Sequence, residues 1–318
     1  MTLHAIVRAV GGDLYQGGAR ANIPAPGHSR RDRSISLLLS QGRLVVHGFG
    51  GADWRAALRM LREQGLIDAD GLVGSDGGPS VAVPGRSFRV RTACDLWEGA
   101  GPITLTTLSL AYLRGRCVWR APGTMGDLRH HASAPISVYR EKSAAQPALV
   151  AGVRGLGGDL TAVELTYLDP NGRRAVGLRL SRKTVGLVPA GAAVRLASAE
   201  SEMLVAEGVI TTLSAIKRFN LPGWALMSAG NLGAWTPPGG VRRVLIAADR
   251  GPVGQAAAER LRRRLSAVGL SARIRLPDLP FKDWNEAAAE AASQRRSEGA
   301  EGRRGCGDGP RRPAGEAS

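Results

Sequence analysis

Three acidic residues in the C-terminal third of the chain are placed where they could act on one metal ion. Glu207 ends the apolar run MLVAEG, Asp249 ends the run VLIAAD, and Asp283 lies in LPFKDWNEAA, just after the strand-like run RIRL. The carboxyl ends of parallel strands open onto one crevice, so these carboxylates are expected to face the same space. Clustered carboxylates suit Mg²⁺, which proteins commonly share with substrate phosphates.

Glycines accompany two of these acids. Gly208 follows Glu207 directly, and Gly251 and Gly254 follow Asp249. Glycine lets the backbone approach a ligand closely, and a helix that begins near Gly254 would direct its free N–H groups at bound phosphate. We therefore predict that Gly208 and Gly254 lie against phosphate or DNA. The structural alternative is that the two acids cap the helices that follow them.

The elements that must position these residues alternate in type over residues 200–293. The strand-like runs EMLVAEG, GWALMSAG, VRRVLIAAD and SARIRLPD alternate with the helical runs VITTLSAIKRF and GQAAAERLRRRLSAVG. Such alternation is typical of an α/β fold in which helices connect the strands of a parallel sheet.

Three segments of this region resemble the signature segments of the Toprim domain, as it occurs in primase-like proteins of phages, plasmids and integrated mobile elements. The segments are VAEGVITTLSA, VLIAADRGPVGQAAAERL and PFKDWNEAA. The resemblance implies a Rossmann-like, mostly parallel sheet with flanking helices. It makes Glu207 a general acid/base, Asp249 and Asp283 ligands of Mg²⁺ or Mn²⁺, and Lys282 a phosphate contact.

The second signature segment departs from the family pattern. Toprim proteins usually carry Asp-x-Asp at this place, whereas this chain has Asp249, Arg250 and Gly251. The missing carboxylate removes negative charge from the site and is expected to weaken Mg²⁺ binding. Arg250 could instead pair with phosphate directly.

The resemblance extends upstream to residues 88–199, through LAYLRGR and LTAVELTYLDPNGRRA, which implies a small α+β primase-type subdomain. The sequence predicts a helix over LTTLSLAYLRGR, a loop over RHHASAPISVYREKSAAQ, and strands over ALVAGVRG and LTAVELTYLD. The tetrapeptide DPNG is typical of a hairpin turn, here leading into a strand VGLRLS.

Residues 1–68 resemble the zinc-ribbon module of such primases, over the stretch from IPAPGHSRRDRS to MLREQG. That module supplies three or four cysteines to a tetrahedral Zn²⁺. Here no cysteine precedes Cys94, and Gly48 stands where relatives would carry a ligand cysteine. Because His28 and His47 alone cannot close such a site, we predict a degenerate ribbon without zinc.

The ribbon region can still fold and bind. A hairpin around QG is predicted, with a helix capped by Asp53 after it, and apolar packing would hold the hairpin through Leu37, Leu39, Leu44 and Val46. The basic turn with Arg30, Arg31 and Arg33 could contact a phosphate backbone. The alternative is a charge run that is merely solvated.

Composition bounds the remaining possibilities. The 318 residues carry a formal net charge of +16, which favours a polyanionic partner such as nucleic acid, although a genome that encodes Arg freely would produce the same balance. The three cysteines are too few and too scattered for a disulfide framework. Neither a signal peptide nor a membrane-spanning run is present, so a cytoplasmic protein without a membrane partner is expected.

The remaining segments are predicted to be a Gly/Pro/Ser-rich linker at residues 69–87 and a disordered Arg/Gly-rich tail at residues 294–318. Taken together, the sequence predicts a primase-like protein that acts in mobile-element replication and joins nucleotides on single-stranded DNA. The sequence has no Walker-type phosphate loop, so a separate helicase partner is expected. Two alternatives remain open: a catalytically weakened single-stranded-DNA-binding accessory protein, and a Toprim nuclease.

Overall fold

The chain forms two compact units, Met1–Gly85 and Arg86–Ser318. A computed structural model describes residues 2–15, 18–40, 43–49, 52–71, 73, 84–119, 121, 124–139, 142–178 and 180–304. Across those residues, the helices are all too short or too polar to cross a bilayer.

The N-terminal unit is a four-stranded antiparallel sheet with two helices. Its elements are α1 (Leu3–Val10), β1 (Asp13–Tyr15), β2 (Arg20–Ile23), β3 (Ile35–Ser40), β4 (Arg43–Gly48) and α2 (Trp54–Glu63), and the strand order is β1-β2-β3-β4. The predicted hairpin is β3–β4, and Asp53 caps α2 by accepting from the N–H of Arg55. Leu37, Leu39 and Leu44 are buried in a core shared with α1 and α2, with Val46 packed against it. Helix α1 and strands β1 and β2 lie in a stretch for which the sequence suggested only glycine-rich chain.

The second unit begins with an antiparallel sheet flanked by two helices. Its elements are α3 (Arg86–Glu98), α4 (Leu108–Gly115), β5 (Leu128–Pro135), β6 (Ala145–Arg154), β7 (Leu160–Tyr167) and β8 (Arg182–Gly186), with strand order β5-β6-β7-β8. We call this part the middle domain. Alternate residues of β7 face opposite ways, so Val163, Leu165 and Tyr167 join the core under α3.

The rest of the second unit is built on a five-stranded, mostly parallel sheet. Its elements are β9 (Val194–Arg195), β10 (Glu202–Ala206), α5 (Val209–Phe219), β11 (Gly223–Ala225), α6 (Ala229–Ala234), β12 (Arg243–Ala247), α7 (Pro252–Ala267), β13 (Ser271–Arg275) and α8 (Trp284–Arg304). The strand order is β13-β12-β10-β11-β9, and only β9 runs antiparallel to its neighbour. The predicted α/β fold with crossover helices, preceded by antiparallel sheets, is confirmed.

Three segments differ from the sequence prediction. The expected loop RHHASAP belongs to β5, because β6 supplies the hydrogen-bond partners that its weak strand propensity does not reveal. After the DPNG turn the chain forms an isolated bridge between Arg174 and Leu168, but strand β8 begins at Arg182, not at Val176, which is 90% exposed. Helix α8 continues to Arg304, into the segment predicted to be disordered, since Ala, Glu, Gln and Arg all favour helix.

Candidate functional site

The predicted acids lie at the carboxyl edge of the mostly parallel sheet. Strands β10 and β12 pair in parallel, with Leu204 opposite Leu245, and therefore end at the same edge. Glu207 follows β10 directly, and Asp249 lies two residues beyond the end of β12. Asp283 precedes α8 and acts electrostatically on Asp249, so all three carboxyl groups belong to one site.

Asp249 occupies the least favourable environment of the three for a negative charge. Burial raises its pKa to about 7, and the neighbouring charges of Asp283, Glu207 and Glu286 add to the shift. Its Oδ1 is buried and has no hydrogen-bond partner among the described residues. A buried acceptor without a donor is costly, and a proton or a bound cation would remove that cost.

The pKa of Glu207 is subject to opposing influences, unlike that of Asp249. Burial raises the pKa of its carboxyl group above the ordinary value, while the N–H of Ala229 and the charge of Arg182 act in the opposite direction. A carboxylate whose pKa is raised by burial is a better proton acceptor than one exposed to water. This arrangement suits the acid/base role that the sequence suggests for it.

The alternative that Glu207 and Asp249 cap the helices that follow them does not hold in the described residues. The N-cap residues of α5 and α7 are Gly208 and Gly251, and neither helix receives a side-chain cap from a described residue. Asp283 does cap a helix: its Oδ1 accepts from the N–H groups of Asn285 and Glu286, both at 2.8 Å. Asp249 is therefore left without a structural task of this kind, whereas Glu207 accepts from the N–H of Ala229 at the start of α6, not from the helix that follows it.

Sequence reasoning missed Glu286, whose Oε2 accepts from the N–H of Lys282 at 2.8 Å. The spacing Asp283-x-x-Glu286 resembles the reciprocal capping pattern at helix starts and was the available signal. Glu286 adds a fourth acid near Asp249, and its charge contributes to the raised pKa there. The N-terminus of α8 thus brings two carboxylates to the edge of the sheet.

Packing does not explain the glycines at this edge. A Cβ at Gly208 would come no closer than 3.8 Å to a described atom, and one at Gly254 would meet the carbonyl of Asp249 at an ordinary 3.4 Å. A Cβ at Gly251 would meet no described atom within 4 Å. In the first turn of α7, Gly254 costs about 1 kcal/mol relative to Ala. Since the fold would accept side chains here, the open space is available to a ligand.

Arg250 has a structural role that the sequence did not suggest. Its N–H donates to the carbonyl of Lys282 at 2.7 Å, and its Nε donates to the carbonyl of Pro277 at 2.7 Å. Both bonds hold the segment that carries Asp283 beside the end of β12. Arg250 therefore holds two parts of the acidic edge together, in addition to or instead of making the predicted contact with phosphate. The Lys282 side chain is exposed.

A cleft of about 610 Å³ separates this edge from the middle domain. Gly208, Val209, Asp283 and Asn285 line one side. The opposite side carries four arginines and two further polar residues, none of them singled out from the sequence: Arg116, Arg173, Arg174, Arg182, Glu164 and Thr166. The buried Asn285 fixes the junction, because its Nδ2 donates to the carbonyl of Arg116 at 2.7 Å and to Ser214 Oγ at 3.0 Å. Acids and arginines thus face one space, which suits a phosphate-bearing ligand.

The acids suit a Mg²⁺ ion that is held by one or two carboxylates and shared with substrate phosphates. No three His, Cys, Asp or Glu side chains in the described ranges are close enough together to enclose a metal ion without help. Mg²⁺ keeps several waters and usually takes only one or two carboxylates together with substrate phosphates. The unpartnered Asp249 oxygen, with Asp283 near it, meets that need.

The predicted basic turn of the N-terminal unit is only partly available. Arg33 donates from Nε to Asp13 at 2.6 Å and from Nη1 to two backbone carbonyls of the turn. Arg30 and Arg31 are exposed. The turn therefore combines one structural arginine with two that face solvent.

The position that would hold a zinc-ligand cysteine is closed. A Cβ built on Gly48 would overlap the carbonyl oxygen of Ala52. His28 lies 3.3 Å from Asp32, and His47 packs edge-on against Phe49 with ring centroids 4.7 Å apart. Both histidines thus already have partners of another kind.

Comparison with protein families matches two parts of the chain. Residues 202–294 match the model described as the Toprim domain, and residues 88–196 match a domain of unknown function, DUF7146. The mostly parallel sheet and the acidic edge therefore belong to a Toprim domain. No protein in a comparison with curated proteins matches the chain.

Solved structures of primases are similar to this chain at low sequence identity. The primase fragment of the bacteriophage T7 primase-helicase protein is 17% identical, with 87% of this chain and 97% of that chain covered and a TM-score of 0.42. The zinc-binding and RNA polymerase domains of the Aquifex aeolicus primase are 12% identical, with 94% and 82% covered and a TM-score of 0.42. The DnaG primase catalytic domain bound to ssDNA is 12% identical, with 67% and 82% covered and a TM-score of 0.41. The Toprim assignment itself depends on the family model and on the signature segments.

Proposed function

We propose that this chain is a primase-like nucleotidyltransferase of a mobile element, which joins nucleotides on a single-stranded DNA template with Mg²⁺ or Mn²⁺. The observation that carries the proposal is the unpartnered, charge-crowded carboxylate of Asp249 at the carboxyl edge of a Toprim domain. A site with this much uncompensated negative charge favours the binding of a cation, and the arginines across the cleft favour the binding of phosphate.

Each acid has a role in the proposed reaction. Glu207 accepts the proton of the attacking 3′-hydroxyl, which bonds to the α-phosphorus of the incoming nucleotide while pyrophosphate leaves. Asp249 and Asp283 would hold the metal, which when bound neutralises charge on the phosphates. Asp283 remains fixed in place because its Oδ1 also caps α8.

The proposed partners follow from charge. Single-stranded DNA and nucleotides are polyanions, and the formal net charge of +16 favours their approach. Exposed Arg31 in the N-terminal unit and Lys282 beside the acidic edge are proposed contacts for phosphate. A separate helicase partner is part of the same proposal, since the chain carries no Walker-type loop.

The N-terminal unit is proposed to be a zinc ribbon that has lost its metal. The overlap of a Cβ at Gly48 with Ala52 supports this, because a cysteine could not be restored there without moving the backbone. The apolar core around Leu37 provides the stability that the metal provides in complete ribbons.

One observation favours a second function, a single-stranded-DNA-binding accessory protein. The second aspartate of the Asp-x-Asp pair is replaced by Gly251, while the basic side of the cleft is intact. Such a protein would bind DNA and make no product. A Toprim nuclease would use the same acids, and metal-dependent DNA cleavage without nucleotides would identify it.

The test is oligonucleotide synthesis on single-stranded DNA with Mg²⁺ or Mn²⁺, comparing wild type with Glu207→Gln. We expect synthesis by the wild type and a loss of at least about 100-fold in the variant, as is usual when a general base is removed. Glu202→Gln, at the opposite end of β10, is the matched control and should retain activity. Equal synthesis by wild type and Glu207→Gln contradicts the assignment, and salt-sensitive DNA binding without synthesis by either protein supports the accessory role.

A further inference from the structure

A polar pair interrupts an apolar strand face in the middle domain. On one face of β7, Ala162 and Leu168 belong to a buried apolar cluster, but Glu164 and Thr166 stand between them and line the cleft. The neighbouring strand β6 continues the apolar surface with Leu149 and Ala151. A carboxylate at such a position requires an explanation, because acidic residues are rarely buried without a partner.

Fold stability does not supply that explanation. The Glu164 side chain is 14% exposed, and its one described ion pair is with Arg182 Nε at 3.8 Å, outside hydrogen-bond distance. Burial raises the pKa of Glu164 even though Arg182 and Arg174 act to lower it. The attraction between these groups therefore does not offset the desolvation of the carboxylate, and an apolar residue would stabilise the strand more.

The geometry shows what Glu164 does instead. Arg182 pairs with Thr166 across β7 and β8, so it lies diagonal to Glu164 on the same face, within reach of a long side chain. The Arg182 side chain is 53% exposed and lines the cleft, and its charge acts on both Glu164 and Glu207. Arg182 is thus a cation of the middle domain whose charge acts on Glu164 in that domain and on Glu207 in the Toprim domain.

Two further arginines of this side, Arg173 and Arg174, lie on a turn. Asp169 Oδ1 accepts from the N–H groups of Asn171 and Arg173, which fixes the DPNG turn, and Arg174 Nε donates to Ser181 Oγ at 2.7 Å. The turn therefore presents Arg173 and Arg174 to the cleft beside Arg182. Arginines ordered in this way bind phosphate oxygens with little further loss of side-chain entropy.

We propose that residues 88–196 supply the phosphate-binding wall of the cleft, and that Glu164 is a positioning residue that acts through Arg182. The ligand is the phosphate group of a nucleotide, either a free triphosphate or the backbone of single-stranded DNA. The proposal deepens the proposed function, since the same cleft holds the substrates of that reaction. It gives a role to a domain whose family model carries none.

Binding of two probes tests the proposal without requiring synthesis. Inorganic tripolyphosphate is titrated by calorimetry, and a fluorescent single-stranded oligonucleotide by anisotropy, for wild type, Arg182→Ala, Glu164→Ala and the double variant. We expect Arg182→Ala to weaken binding about 10-fold, as for loss of one charge-assisted contact. Glu164→Ala should also weaken binding several-fold, although it removes a charge that repels the ligand. In the Arg182→Ala background it should have no further effect.

The matched control is Glu202→Ala. Glu202 pairs with Arg243 at 2.8 Å at the amino ends of β10 and β12, so its removal changes the net charge equally but away from the cleft. This control should leave binding unchanged or slightly tighter. Glu164→Gln, which keeps a side-chain oxygen near Arg182, should recover part of the loss.

The outcomes separate the two proposals. Tighter or unchanged binding by Glu164→Ala, or additive losses in the double variant, would overturn the positioning role. Loss of tripolyphosphate binding identifies a triphosphate subsite, and loss of oligonucleotide binding alone identifies a contact to the DNA backbone. If the wild type makes no oligonucleotides but Arg182→Ala still weakens binding, the proposed function fails while the phosphate-binding wall stands; Glu207→Gln should bind both probes in either case.

Discussion

The N-terminal unit and the acidic edge of the Toprim domain each lack a residue that the sequence resemblance would place in a metal-binding set, a cysteine at Gly48 and an aspartate at Gly251, and the groups that remain there differ. Near the basic turn of the N-terminal unit the acids have partners: Asp32 accepts from Ala25 N–H and Ser34, and Asp13 pairs with Arg33. In the Toprim domain, Asp249 still has a buried oxygen without a described partner.

The pKa values show the same contrast. Hydrogen bonds from Ser34 and Ala25 lower the pKa of Asp32, whereas burial and neighbouring acids raise the pKa of Asp249 to about 7. The first pattern is that of a carboxylate satisfied by its own fold, and the second is that of a carboxylate that a bound cation would stabilise, as we propose. The absence of one ligand residue therefore does not by itself indicate loss of function. The hydrogen-bond partners and pKa shifts of the remaining carboxyl groups indicate whether a cation could still bind.

The largest expected effect concerns the apolar core of the N-terminal unit, which we propose holds that unit together without zinc. Leu37 is fully buried in the core of the N-terminal unit, so Leu37→Ala should destabilise that unit by about 2–5 kcal/mol. Hydrogen exchange of residues 18–40, measured in the intact chain, reports the change. Val45→Ala, at a residue 51% exposed on the same hairpin, is the control and should have little effect.

A chelator sharpens this first prediction. If the apolar core holds the unit without a metal, as we propose, EDTA should leave its hydrogen exchange unchanged in the wild type. A chelator effect comparable to that of Leu37→Ala would show that the comparison between the two regions is wrong.

The next effect is at the acidic edge. The pKa of Asp249 in the folded protein, about 7, lies above its ordinary value of 3.8, so the folded state holds a proton that the unfolded state has released. Without metal, the stability contributed by this group therefore falls as the pH rises from about 4 to about 7. Asp249→Asn should be more stable than the wild type at pH 8 by about 1–3 kcal/mol, once solvent screening is allowed for, and equal to it near pH 4.

Denaturation midpoints in EDTA at pH 4, 6 and 8 measure this difference. Glu259→Gln is a suitable control, because hydrogen bonds from Arg262 and Arg263 lower the pKa of Glu259 to about 2, so this change should not stabilise the chain. Asp249→Asn should also lose Mg²⁺-dependent activity while gaining stability. A variant that is less stable than the wild type at pH 8 would place Asp249 among the structural acids.

The sequence predicted the acidic edge well because a simple rule places it. Strand ends follow from apolar runs, and parallel strands bring Glu207 and Asp249 to one edge without any side-chain detail. Glu164 and Arg182 could not be found this way. They are 18 residues apart in sequence, and the register of β7 on β8 brings them together. That register could not be predicted, because the connection between the two strands does not follow the predicted strand.

The N-terminal unit shows the same limit at Gly48. The sequence shows that this position carries no cysteine. It does not show that a cysteine would not fit there, because the side chain would overlap the backbone of Ala52, which is a neighbour only in the folded chain. Helix α8 likewise extends through residues whose composition resembled a disordered tail. In α8 the helix propensity of Ala, Glu, Gln and Arg outweighs the low hydrophobicity of the segment, whereas at Gly48 a contact formed by the folded backbone decides.

The smallest expected effect distinguishes the arginines of the basic turn. Arg31 is exposed, whereas Arg33 holds Asp13 and two carbonyls of the turn. If the turn contacts DNA, Arg31→Ala should reduce the slope of log K against log salt by about 0.7, the value for one contact to a single strand, without changing stability. Arg33→Ala should instead increase hydrogen exchange in residues 18–40, because the Asp13 carboxylate and the turn carbonyls lose their donor. Anisotropy titrations between 50 and 200 mM salt, run for both variants, decide the matter: an unchanged slope for Arg31→Ala would mean that the charge of this turn is only solvated, and that the N-terminal unit has become a structural module alone.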